Sequence, residues 1–345
     1  MHSVLVTGSG CPGWYSVFKL LKRWEEDAWE NLRIFGCDSN PNPSGGNLPE
    51  KNFYVPNGDE PGYIKRVLQV VEENKIEAIL PLTDPELLPL AQAAAAFETI
   101  GCEILCSKKE MLGLVLDKAN LYKRFPGISP RFRFLEEIGE VKAFIEDSSD
   151  GRSCFVKLAK AYGSRGVKKV MGDKEWLSGF RSEKPEPFGL TFPLSLLSAL
   201  DPKPREFMLV ETLPGAEYSI DCVFDGYGDF RFWGVREREM TRGGITHTAK
   251  FVPDSGEFRE FLDPLARELQ LKHIVNVQAK RDINGKLKLL EINPRVPGSV
   301  GTWQTVGYNL VGMMFDGHWD KDCRRGGGTP GEYDTSHAYR VSHFI

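Results

Sequence analysis

The chain has 345 residues, 41% hydrophobic and 27% charged, with a formal net charge of −4. That is a globular composition, long enough for two or three domains with their own cores, and its slight acidity excludes the electrostatic footprint of a nucleic-acid binder. No apolar run approaches the length of a membrane span, and the opening MHSVLVTGSG reads as a strand and turn rather than a secretory signal. The seven cysteines are scattered, with only Cys102 and Cys106 close together. They suggest neither a zinc site nor a disulfide framework, so reduced thiols and a cytoplasmic protein are expected.

In chain order, residues 3–8 (SVLVTG) predict a strand running into glycines, and helical spacing follows from about Trp14 to Glu26. A second strand is expected over 32–38, then a surface loop rich in Pro, Gly and Asn. Residues 61–75 read as a helix, 76–82 as a strand, and 84–100 as a helix capped by Asp84 with Pro85 in its first position. Strands alternating with helices imply a parallel sheet covered on both faces, so about the first 105 residues form an α/β domain. The loop GSGCPG (8–13) matches Gly-x-Gly-x-x-Gly. A dinucleotide loop, a tight strand-to-helix turn and a contact with some other substrate all fit it.

The pattern changes after about Leu112. Residues 117–125 are helical, 151–170 predict two strands around a glycine loop, and the prolines of 181–206 suggest an insertion or linker. Strands are expected over 207–225 and 230–239, a helix over 256–271, and a hairpin turning at Asn284-Gly285. This half is α+β with antiparallel strands.

The chemistry concentrates near the end of that hairpin, in LKLLEINPRVPGS (287–299). If the strand continues to Asn293, period-two alternation puts Glu291 and Asn293 on one face, with Arg295 just beyond the Pro294 turn. Gln278 on the preceding strand can join them. Lys157 stands before a loop holding Gly163, Ser164 and Gly166, an arrangement suited to nucleotide phosphates. It is not a Walker motif, because no Gly-Lys-Ser/Thr opens a helix. Lys118 begins the helix ahead of that hairpin. Glu211 ends a strand and is followed by a Leu-Pro-Gly turn and Glu217; a buried hinge of this kind can pair its backbone with adenine's edge, and the acid six residues on can take ribose hydroxyls. Arg236, Arg238 and Arg242, followed by Gly243-Gly244, suit a carboxylate or acyl phosphate, and residues 296–302 could line an acceptor pocket.

This order of pieces resembles the ATP-grasp superfamily. The run NVQAKRDINGKLKLLEINPR is especially similar to one synthetase half of the carbamoyl-phosphate synthetase large subunit and to stand-alone carboxylate–amine ligases of that type. The resemblance covers about residues 1–315. It implies an α/β parallel-sheet domain (1–110), a lid domain with the proline-rich insertion (111–207), a large domain with a metal site (208–325) and a C-terminal tail (326–345). It further implies Gln278, Glu291 and Asn293 as ligands of Mg²⁺, with Mn²⁺ as an alternative, and Arg295 and Lys157 as catalytic residues; Arg242, from this chain's own arginine cluster beside Gly243-Gly244, is expected to join them. Lys118, Lys157, Ser164, Gly166, Val210, Glu211, Thr212, Leu213 and Glu217 would bind ATP.

The expected reaction phosphorylates a small carboxylate and joins it to an amine, releasing ADP and phosphate. Phosphorylation of a carboxylate or carbamate without an amine partner stays open, as does a nucleotide-binding regulatory protein without turnover. The expected partners are small-molecule substrates, with no nucleic acid or membrane, and a homodimer is left open.

Overall fold

Val4, Leu5 and Val6 are shut off from solvent on both faces of their strand, as happens in the middle of a parallel sheet. The computed structural model, which describes residues 2–28, 31–137, 139–148, 153–159, 167–171, 191–193, 207–242, 245–253, 256–319 and 340–342, places β1 (His2–Thr7) at that position. The five-stranded parallel sheet runs β3-β2-β1-β4-β5, with β2 at Leu32–Asp38, β3 at Lys51–Tyr54, β4 at Ala78–Leu80 and β5 at Glu103–Ile104. Helix α1 (Trp14–Ala28) packs on the Val4 and Val6 face, and α2 (Tyr63–Asn74) on the Leu5 face. Strand β3 has no counterpart among the elements expected from sequence, because only Phe53 of its four residues is buried.

The helix expected over 84–100 is two helices, α3 (Asp84–Gln92, containing Pro89) and α4 (Ala94–Thr99). The cap of α3 is Thr83 rather than Asp84. Thr83 and Glu86 form a reciprocal capping box, so Asp84 becomes the first helical residue. Its carboxylate is thereby left for a distant partner.

Short helices α5 (Lys109–Val115) and α6 (Lys118–Arg124) lead to a second sheet ordered β6-β10-β7-β8-β9. Its strands are β6 (Phe132–Phe134), β7 (Ser153–Leu158), β8 (Val167–Met171), β9 (Thr191–Pro193) and β10 (Phe207–Glu211), with α7 (Gly139–Glu146) against one face. The antiparallel pair β7 and β8 matches the hairpin expected there. Within the proline-rich stretch, Thr191–Pro193 pairs in parallel with β8, and the rest lies outside the described residues.

The third sheet runs β15-β14-β11-β12-β13-β16. It comprises β11 (Glu217–Phe224), β12 (Phe230–Arg242), β13 (Ile245–Val252), β14 (His273–Arg281), β15 (Leu287–Asn293) and β16 (Arg340–Ser342). The last of these, within the expected tail, pairs antiparallel with β13. Helix α8 (Glu257–Leu269) buries one face of this sheet. The other face shares a core with the N-terminal sheet: Trp14, Leu20 and Trp24 meet Val223, Phe232, Trp303 and, from α9 (Leu310–Trp319), Phe315.

Candidate functional site

The inner face of the third sheet changes character along its strands. At its deep end Val223, Phe232 and Ile274 belong to the shared core. One pair outward, Asp221, Asn276, Gly234 and Asn293 stand side by side, and beyond them come Ser219, Gln278, Arg236 and Glu291. Outermost, Glu217 faces Lys280. The structure thus brings Gln278, Glu291 and Asn293 together.

A β-bulge makes this possible. Leu287 and Leu289 point into the α8 core, and strict alternation would send Glu291 after them. The register slips so that Gln278 pairs with Glu291 while Ala279 pairs with Leu289, leaving Leu290 as the extra residue. Ile292 then returns to the core, and Glu291 faces the cleft.

Helix α6 brings the first lysine. The Tyr122 hydroxyl donates to the Leu290 carbonyl (2.7 Å), and the Lys118 amide donates to Ala159 O (3.2 Å), tying the helix to both sheets. Lys118 Nζ then lies 3.5 Å from Glu291 Oε2. Burial acts to raise the Glu291 carboxyl. Lys118, a hydrogen bond from Asn293, Lys157 and Arg238 outweigh it and hold the group below the usual carboxylate range. Lys157 sits opposite Met208 on β10. Burial first, then the like charge of Lys118, pull its ammonium down to about 8 against the attraction of Glu291 and Glu217. Cations therefore crowd a small acid set, as a polyphosphate site requires.

Val210 and Leu213 are buried at the end of β10, and the Glu211 carboxylate accepts from the Arg131 amide (2.8 Å). Thr212 shares a hydroxyl bond with Ser153 (2.9 Å). Glu217 is held by Arg238 (3.3 Å) and Lys280 (3.6 Å). Ser164 and Gly166, with the loop around them, lie outside the described residues, as does the side chain of Arg242.

Of the arginine cluster expected at 236–242, Arg236 and Arg238 are described, and both are engaged by acids of the fold. Arg236 is fully buried, donating to Asp221, to Ser299 Oγ (2.9 Å) and to Thr302 Oγ1 (3.1 Å). Arg238 is engaged with Glu217. An internal acid consumes Arg236, and no local sequence pattern announces a partner on the adjacent strand. Arg295 is held through two 2.9 Å bonds by Asp84, the residue that the capping box released. Burial works against its charge, but Asp84 outweighs this and raises its pKa, with Glu291 adding attraction.

Arg295 lines a cleft of about 810 Å³ between the N-terminal glycine loop and residues 296–298. A Cβ on Gly13 would come within 2.8 Å of Gly298 Cα, so glycine there permits the two backbones to meet. The Gly10 amide donates to Asp38 (2.7 Å), so this loop amide is spent within the fold. Cys11 also lines the cleft, but burial pushes its thiol up to about 11, too high for a thiolate nucleophile.

The residues present fit a hard cation that shares phosphate oxygens. Among the described residues there is no group of three or more His, Cys, Asp or Glu side chains poised for a metal. The set here is one carboxylate plus two amides, the kind that leaves further positions to substrate phosphates. Both amides donate to Asn276 Oδ1, Gln278 from 3.3 Å and Asn293 from 3.4 Å. Their carbonyl oxygens accept no hydrogen bond from the described residues, while Glu291 keeps 27% exposure. Sequence reasoning missed Asn276, although its position two residues before Gln278 puts it on the same face. It also missed Asp221 and Asp84, for which no local signal exists.

Comparison with known proteins agrees with this architecture. Residues 203–340 match the family described as "ATP-grasp in the biosynthetic pathway with Ter operon", and residues 5–105 match the PylC-like N-terminal domain. No curated protein matches the chain. Similar solved structures include the biotin carboxylase domain of Hydrogenobacter thermophilus 2-oxoglutarate carboxylase with MgADP, ADP and bicarbonate. It is 16% identical with TM-score 0.66, over 93% of this chain and 70% of that one. N5-carboxyaminoimidazole synthetase from Staphylococcus aureus with ADP is 14% identical with TM-score 0.64, over 92% and 76%. Biotin carboxylase from Campylobacter jejuni with a β,γ-ATP ligand is 12% identical with TM-score 0.66, over 91% and 70%. Among the described residues, no helix is long and apolar enough to cross a membrane. The N-terminal parallel-sheet domain thus resembles a PylC-like N-terminal domain, and residues 203–340, which span the third sheet, match an ATP-grasp family.

Proposed function

We propose that the protein is an ADP-forming ligase that transfers the γ-phosphoryl group of ATP to a small carboxylate and joins the acyl phosphate to an amine. The observation that carries this reading is that Lys118 of α6 and Lys157 of the second sheet meet Gln278, Glu291 and Asn293 on the face of the third, with Arg295 leading into the 810 Å³ cleft. A carboxylate is a poor acyl donor because oxide would have to leave; phosphate leaves readily. In this reading Lys118 and Lys157 hold phosphates, residues 210–213 and Glu217 hold the nucleoside, and Gln278, Glu291 and Asn293 hold Mg²⁺. Mg²⁺ would supply charge neutralisation to the phosphate oxygens. Arg295 offsets charge on the transferred group, and the cleft holds carboxylate and amine.

Residues 1–110, 111–207 and 208–325 then act as acceptor-side, lid and large domains, the lid excluding water from a hydrolysable acyl phosphate. The biosynthetic setting in the matched family's description supports an anabolic reaction. All six cysteines among the described residues are free, which suits a reducing cytoplasm.

The test is a screen of amino acids and other small carboxylates, each with and without amines, for ADP release. Release that depends on a carboxylate, and that Glu291→Gln abolishes while circular dichroism stays unchanged, is the expected result. ADP release indifferent to carboxylate, or near-normal turnover in Glu291→Gln at ordinary Mg²⁺, would overturn the reading. Release driven by bicarbonate alone would favour phosphorylation without ligation.

A further inference from the structure

Beneath the three proposed metal ligands lies a buried polar network that no part of the proposed chemistry touches. Asp221 is wholly inaccessible, on the central strand β11. Its Oδ2 accepts from the Arg236 guanidinium and from Trp303 Nε1 (2.6 Å), and its Oδ1 accepts from the Asn276 amide nitrogen (2.7 Å). Trp303 reaches Asp221 only because residue 234 is glycine: a Cβ there would fall 2.2 Å from the indole ring. Three side chains thus converge on one carboxylate, with a glycine making room for one of them, at a depth where unpaired polar groups are costly.

Donor and acceptor chemistry propagates outward from that carboxylate. Paired with a guanidinium, Asp221 can only accept, so Asn276 must turn its NH2 toward it. The Asn276 oxygen must then face the other way, where Gln278 Nε2 and Asn293 Nδ2 both donate to it. An amide whose nitrogen points inward points its oxygen outward. Asn293 Nδ2 also donates to Glu291 Oε1 (3.1 Å), which fixes the carboxylate beside the amides. The amide orientations therefore follow from the fixed polarity of one buried acid rather than from any cation.

We propose that Asp221, acting through Asn276, is the positioning residue of the metal site, setting the amides of Gln278 and Asn293 with their oxygens toward the cation. This rests on the assignment of Gln278, Glu291 and Asn293 as metal ligands. Arg236 and Trp303 hold Asp221 in place, and Asn276 relays its polarity. Asp221→Asn keeps the shape but supplies an NH2 that can face Asn276. Asn276 can then turn over and present its own NH2 to Gln278 and Asn293, which would offer NH2 groups to the cation. Exchanging the two residues, Asp221→Asn with Asn276→Asp, restores an inward acceptor for both amides.

The probe is Mn²⁺ with ADP, its affinity read by electron paramagnetic resonance, with metal-free ADP binding by calorimetry as the control for a folded nucleotide site. Asp221→Asn and Asn276→Ala should each weaken Mn²⁺ by tenfold or more while metal-free ADP binding stays within about twofold, and the exchanged double variant should regain most of the loss. Should Asp221→Asn not fold, Asn276→Ala, which leaves the Asp221 pairs with Arg236 and Trp303 intact, decides the matter. Parent-like Mn²⁺ affinity in a folded Asn276→Ala or Asp221→Asn protein, with Glu291→Gln having lost it, overturns the positioning role alone. Parent-like affinity in Glu291→Gln overturns the metal assignment and this proposal with it.

Discussion

Lys157 shows how one residue's environment sets a measurable behaviour. Its ammonium is desolvated between two sheets and faces Lys118, which together pull it down to about 8. A triphosphate favours the charged form, so the bound state holds more protons than the free one wherever free Lys157 is partly neutral. ATP affinity should therefore fall as pH rises through about 8, and binding above that pH should take up protons. Calorimetry in buffers of different ionisation enthalpy measures the uptake, and Lys157→Ala should flatten the profile. An unchanged affinity from about pH 7 to 9 would count against a phosphate role for this lysine.

At the scale of elements, two contacts seat the site. The Tyr122 hydroxyl on α6 satisfies the carbonyl of the bulged Leu290 at 2.7 Å. Tyr122→Phe strands that carbonyl, at a cost of about 1–3 kcal/mol, and loosens the helix that places Lys118 over Glu291. A rise in KM for ATP together with a lower denaturation midpoint is expected; a change in neither would show that α6 is seated by packing alone. Gly234 on β12 is the second contact, because the Trp303 ring occupies the space of its missing side chain. Gly234→Ala should destabilise by about 1–3 kcal/mol through overpacking, read by chemical denaturation.

For the whole molecule, the junction between the N-terminal and third sheets decides where the cleft lies. One apolar core crosses it, from Val4, Val6 and Trp14 to Phe232 and Trp303. The Asp84–Arg295 pair closes its polar edge, with Asp84 7% and Arg295 18% exposed. Removing the acid leaves a nearly buried guanidinium unpaired, and loss of one partner of a buried pair costs about 3 kcal/mol. Asp84→Ala should lower the unfolding free energy by about that amount, read by chemical denaturation, and it should also alter carboxylate use, because Arg295 lines the cleft. Wild-type stability would mean that Arg295 finds another acid.

Much of this was legible in the sequence because it depends on local periodicity. The α/β order of the first hundred residues, the β14–β15 hairpin and the common face of Glu291 and Asn293 follow from apolar spacing and turn chemistry. So do the places of Lys118 at a helix start and Lys157 on a strand. What tertiary structure alone decided depends on neighbours distant in sequence. Which acid meets Arg236, and that Asp84 meets Arg295, are settled by strands and helices from different parts of the chain. The bulge at Leu290 belongs to the same class, because register is a property of a strand pair. Sequence by itself names the groups able to do the chemistry; the packing of sheet on sheet decides which of them face the cleft and which are buried holding the others in place.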